Sequence, residues 1–245
     1  MTHVVSGSTH PVRRLPVPVT ALTAALVLAA VITTSLPALL LCLALAVAGS
    51  ARSLLRSEPW TAADDLTSAR FGAVVVVTAL LLARETPAFP WPAVALGAVA
   101  LALDGVDGQV ARRRGTTRAG AAYDETVDAL FVLVLSVALV PLWGPWCLIP
   151  GVLHYAFRLV GSVRQAWRRT LPPRFSRKVI AAAQGILLLA AGTPWSAEHP
   201  PLGLALAGAA VVCLLYSFGR DILWLERQDT APGPDASAGP RAPGP

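Results

Sequence analysis

The chain has 245 residues, 55% of them hydrophobic and only 14% charged. A soluble domain carries about 25% charged residues, so the composition excludes an ordinary water-soluble globule and predicts an all-α integral membrane protein. The net charge is +6, but the arginines lie between apolar runs, which is the pattern of cytoplasmic loops rather than of a nucleic-acid surface.

Residues 1–50 read as an N-terminal extension. Residues 16–49 are apolar apart from TTSLP at 33–37. They suit one tilted helix, a hairpin of two short helices turning near Pro37, or the apolar part of a cleaved signal. The stretch is longer than an ordinary signal core, which favours a retained hairpin. The segment 51–70, ARSLLRSEPWTAADDLTSAR, mixes Trp60 and Leu66 with charges. It predicts a helix lying at the membrane surface, with Thr61 or Asp64 as its cap.

Apolar helices follow at roughly 69–84, 92–110 and 119–140, then one ending near 168, one from about 177 to 192 and one from about 201 to 225. Turns with Pro and Trp, PAFPWP at 87–92 and PLWGPW at 141–146, punctuate them. The membrane domain therefore spans 51–227: six transmembrane helices, preceded by the surface helix and the extra apolar hairpin. The tail 228–245, rich in Pro, Gly, Ala and Asp, predicts disorder. Cys42, Cys147 and Cys213 form no CxxC pair and lie in apolar runs, so neither a disulfide framework nor a zinc site is indicated.

Charge sets an orientation. The segments 51–70, 111–118 and 164–178, placed on one side together with the tail, hold most of the arginines and the single lysine, Lys178, while the opposite turns contain only Arg84. The basic loops then face the cytoplasm of a multi-pass cell-membrane protein.

One stretch, DGVDGQVARRRGTTRAGAAYDETVD at 104–128, carries the chemistry. Asp104 and Asp107 are three residues apart and Asp124 and Asp128 four apart, so each pair shares a helix face. A short turn makes the two helices antiparallel neighbours, and the four carboxylates can converge at the cytoplasmic membrane boundary. Unpaired, they would repel each other and lose hydration. A divalent cation of the Mg²⁺ or Mn²⁺ kind relieves both, because it prefers carboxylate oxygens and bridges them to phosphate. Gly105, Gly108 and Gly120 each cost about 1 kcal/mol in a helix relative to Ala and let a bulky ligand approach the backbone. Arg112 supplies a phosphate-binding fork. Carboxylates, metal and arginine together point to diphosphate chemistry.

This stretch resembles the signature of the CDP-alcohol phosphatidyltransferase family, D-x2-D-G-x2-A-R-x8-G-x3-D-x3-D. It is met at Asp104, Asp107, Gly108, Ala111, Arg112, Gly120, Asp124 and Asp128, with seven rather than eight residues between Arg112 and Gly120. Thr67-Ser-Ala-Arg70 resembles the family's T-x-x-R pattern at the start of its first core helix, and Arg177-Lys178 followed by Gln184 resembles the start of its fifth. The resemblance covers roughly residues 60–225.

It implies transfer of a substituted phosphate from a CDP-linked lipid, usually CDP-diacylglycerol, to an alcohol hydroxyl, with release of CMP, in phospholipid biosynthesis. It implies two Mg²⁺ or Mn²⁺ ions on Asp104, Asp107, Asp124 and Asp128, with Asp128 as general base. Asp104, Gly108, Ala111, Arg112 and Thr67 would border the nucleotide. Arg158, Arg177 and Lys178 would hold an anionic acceptor such as a polyol phosphate. A homodimer in the bilayer is also compatible with it. Two other classes fit the sequence less well. A prenyl-diphosphate transferase also uses aspartates, but without the G-x2-A-R pairing. A transporter would carry its charges at mid-membrane depth on several helices, whereas here they gather at helix ends.

Overall fold

In the computed structural model, residues 17–54, 61–114, 117–164 and 175–229 are described. They are helical almost throughout: α1 (Val17–Ile32), α2 (Leu36–Leu54), α3 (Ala62–Leu82), α4 (Trp91–Arg114), α5 (Arg118–Trp143), a 3₁₀ turn (Pro145–Cys147), α6 (Leu148–Val163), α7 (Phe175–Ala191), α8 (Pro194–Glu198) and α9 (Pro200–Asp229). Among the described residues, three stretches are long and apolar enough to cross a membrane, Ala62–Leu82, Arg118–Trp143 and Pro200–Arg227. Shorter apolar helices cover 19–32, 36–51, 91–105 and 179–191.

The apolar N-terminal stretch is two helices, broken at residues 33–35 just ahead of Pro37. The polar run before residue 70 differs from its expected form. From residue 62 onward it is the first two turns of α3 itself, and residues 55–60 lie outside the described residues. The reason is a capping box. The Asp64 carboxylate accepts from the Thr61 backbone N–H at 2.7 Å, and the Thr61 hydroxyl accepts from the Asp64 N–H at 3.4 Å. Two orphan donors are thereby satisfied, and the helix starts at Ala62, well upstream of the apolar run that begins at Phe71. α4 likewise continues to Arg114, past the aspartates. The tail beyond residue 229 lies outside the described residues.

The chain divides into two compact units, Met1–Ala83 with Ala102–Val127, and Arg84–Leu101 with Asp128–Pro245. In the first, α1 and α2 pack on α3. Small residues make the approach close: Ala25 and Ala29 are buried, and a Cβ on Gly72 would stand 3.3 Å from the Ala21 carbonyl oxygen. Phe71 is fully buried, lies against Gly49 and meets Tyr123 edge-on at 6.4 Å. The Tyr123 hydroxyl donates to Ser68 Oγ at 3.3 Å, which ties the start of α5 to α3.

In the second unit α9 packs on α7 and α6. Phe89 is fully buried, and its N–H donates to the Gly192 carbonyl at 2.7 Å. Trp143 Nε1 donates to Ala191 O at 3.0 Å. Arg84 lies over the Phe89 ring at 5.6 Å and donates from Nη2 to Ala138 O at 2.8 Å.

Candidate active site

α4 and α5 carry the aspartates as the spacing predicts. α4 runs unbroken through Asp104 and Asp107 to Arg114, and α5 starts at Arg118. Thr117 caps α5, its Oγ1 accepting from the Gly120 N–H at 3.0 Å. The connection between the helices is therefore only residues 115–117, and the residue missing relative to the family signature leaves both aspartate spacings helical.

Within the first unit the two helix ends meet across one side chain, Arg70 of α3. Its Nη2 is 3.0 Å from Asp104 Oδ1, and its Nη1 is 2.5 Å from Asp124 Oδ1. The Arg70 side chain is 4% exposed, whereas the two carboxylates are 35% and 38% exposed. The arginine thus forms the floor of the group and the aspartates its open side. A buried guanidinium needs carboxylate partners to offset lost hydration, and its planar fork can serve two at once.

Asp104 and Asp124 bring carboxylate oxygens within 4.8 Å of each other, and α5 adds Asp128 one turn beyond Asp124 on the same face. The group could hold a metal ion. All its donors are hard oxygens, which suits Mg²⁺ or Mn²⁺ and not a thiolate-seeking metal.

The other expected residues fall as follows. The backbone of Asp107, Gly108, Ala111 and Arg112 lies on α4, while their side chains are outside the described residues. Gly105 is exposed, with open space where a Cβ would stand. Thr67 is buried one turn before Arg70 and gives its hydroxyl to Ala63 O at 3.1 Å. Arg158 is exposed on α6. Arg177 and Lys178 lie in the first turn of α7, and their side chains are outside the described residues. Arg164 pairs with Glu226 at 2.7 Å across α6 and α9.

Sequence reasoning missed Arg70 as a member of the group. The available signal was an arginine at the edge of a long apolar helix, a position that calls for a partner. Gln184, which enters the sequence reading only as part of the α7 pattern, is 3% exposed.

Comparison with curated proteins and with solved structures returned no match in either case. The family profile of CDP-alcohol phosphatidyltransferase matches residues 60–217, more than half of the chain, from the α3 cap to the middle of α9 and including the whole aspartate group. The chain belongs to the CDP-alcohol phosphatidyltransferase family.

Proposed function

We propose that this protein transfers a phosphatidyl group from CDP-diacylglycerol to the hydroxyl of a small alcohol or polyol phosphate, releasing CMP at the cytoplasmic face of the cell membrane. The observation that carries the reading is the approach of Asp104 and Asp124 over buried Arg70, with Asp128 on the next turn of α5.

Asp104, Asp107, Asp124 and Asp128 would hold Mg²⁺ or Mn²⁺. Such ions, when bound, supply charge neutralisation of the diphosphate and of the departing CMP. Arg70 holds two of the carboxylates in place from below. Gly105, with open space about it, leaves room for a nucleotide against α4, where Gly108, Ala111 and Arg112 follow and Thr67 would stand on α3. Asp128 takes the proton of the acceptor hydroxyl, which requires only hydrogen-bond reach. The acceptor oxygen attacks the phosphorus that bears the diacylglycerol. Its bond to the bridging oxygen breaks, and CMP leaves with that oxygen. Arg158, Arg177 and Lys178 would draw in an anionic acceptor. The lipid chains remain in the bilayer while CMP passes to water.

The test is CMP release by purified protein in detergent, with CDP-diacylglycerol, Mg²⁺ or Mn²⁺ and single alcohols, beside Asp128→Asn. Release that needs the metal and one alcohol, and falls by roughly 10²–10⁴-fold in the variant, supports the reading. No release with any alcohol overturns it.

A further inference from the structure

Gln184 is a buried polar residue outside the expected site residues, and no polar partner among the described residues accounts for its burial. It lies on α7, 3% exposed, in a stripe of buried residues with Gly185, Leu188, Leu189 and Ala191. Neither its Oε1 nor its Nε2 has a hydrogen-bond partner among the described residues. A buried carboxamide with both ends unbonded is costly, and native proteins keep such groups rarely and for a reason.

Its level in the second unit can be read from contacts. A Cβ on Gly97 of α4 would stand 2.9 Å from Leu189 of α7 and 3.4 Å from Phe131 of α5. One turn on, a Cβ on Gly185 of α7 would stand 2.5 Å from Leu101 of α4. α4 and α7 therefore run antiparallel in one-for-one register, and α5 returns beside α4. In that register Asp128 stands opposite residue 100, and residue 100 stands opposite residue 186. Gln184 is two residues away, about 3 Å along the axis at 1.5 Å per residue. The unbonded amide is thus at the depth of Asp128.

We infer that Gln184 is a specificity-determining residue that holds a hydroxyl of the acceptor alcohol at the level of Asp128; the inference rests on the transferase reading above. A carboxamide offers a donor and an acceptor and no charge. A hydroxyl both donates and accepts, so it satisfies the amide at both ends. A phosphate oxygen only accepts and an ammonium only donates, and each would leave half of Gln184 unbonded. The acceptor's charged part, if it has one, lies elsewhere, and its polyol part meets Gln184.

The experiment compares wild type, Gln184→Met and Gln184→Asn in detergent. It measures KM for CDP-diacylglycerol and KM for whichever of glycerol, glycerol 3-phosphate and inositol 1-phosphate gives the most CMP release, together with Tm. Met matches the shape of Gln without its polar atoms. The expected result for Gln184→Met is an acceptor KM raised roughly tenfold, the worth of a hydrogen bond or two, with KM for CDP-diacylglycerol unchanged and Tm not lowered. Gln184→Asn serves the same comparison should the Met variant fail to fold. An unchanged acceptor KM, or both KM values rising together, overturns the assignment while the transferase reading stands. If wild type releases no CMP with any of the alcohols, the transferase reading falls and Gln184 loses its role with it.

Discussion

Nη1 of Arg70 on α3 stands 2.5 Å from Oδ1 of Asp124 on α5. The two residues are separated by most of α3, all of α4 and both connections. With Asp104 at 3.0 Å on its other arm, Arg70 neutralises part of the charge that the aspartates would otherwise turn on each other.

Removing Arg70 therefore exposes that repulsion. For Arg70→Gln we expect a loss of about 1–3 kcal/mol, below the full cost of breaking a buried pair because the carboxylates are partly solvated. Millimolar Mn²⁺ should recover more stability in the variant than in wild type, since a bound cation replaces the missing charge. Thermal melts in detergent with and without Mn²⁺ check this. Equal melts for the two proteins would mean that the arginine carries no electrostatic weight.

The start of α3 depends on reciprocal bonds between Thr61 and Asp64. Thr61→Ala should cost about 0.5–2 kcal/mol, the usual worth of an N-cap, and Thr61→Ser should restore most of it. Because Arg70 is two turns downstream, hydrogen exchange at 62–66 in Thr61→Ala should rise more than at 74–79. Uniform exchange along α3 would contradict a local cap.

Gly192 has no room for a side chain. A Cβ there would stand 2.2 Å from the buried Phe89 ring, whose own N–H donates to the Gly192 carbonyl. Gly192→Ala should destabilise by about 1–3 kcal/mol through overpacking, and Phe89→Leu in the same chain should lessen the added cost. A double-mutant cycle on Tm and denaturation free energy measures the coupling, and additive effects would refute the contact.

Burial pushes the Cys147 thiol up from its usual 9.0 to about 11. A raised value means that the folded protein keeps the proton that the unfolded chain releases. The unfolded state thus binds fewer protons above pH 9, so stability held below pH 9 falls as pH rises toward 11. Cys147→Ala should flatten that fall. The same burial should make Cys147 slow to alkylate at pH 8, with labelling that speeds up toward pH 11. Rapid modification at pH 8, followed by peptide mass spectrometry, would refute this.

The positions of the described helices and the face that Asp124 and Asp128 share on α5 were legible in the sequence. Apolar length and the i, i+3 and i, i+4 spacings are local properties, set by helix geometry and by the cost of exposing backbone to lipid. The signature at 104–128 also pointed to the family that the profile match establishes. Helix ends were less legible. The upstream start of α3 depends on a four-residue hydrogen-bonded box, and α4 runs on past its apolar part.

What no local pattern contains is how each helix is rotated against the next. That rotation is decided by packing: Gly72 lets α1 approach α3, Phe71 fills the space at Gly49 and meets Tyr123, and Arg70, the adjacent residue, is thereby turned onto Asp104 and Asp124. Likewise, Gly185 against Leu101 seats α7 so that Gln184 is buried with its amide unbonded among the described residues. The sequence by itself determined that there would be a membrane-embedded helical chain with paired carboxylates. Only the tertiary structure decided that a buried arginine would hold two of them and that a glutamine would lie at the depth of Asp128, because contacts between distant helices depend on side-chain volumes meeting in space rather than on spacing along the chain.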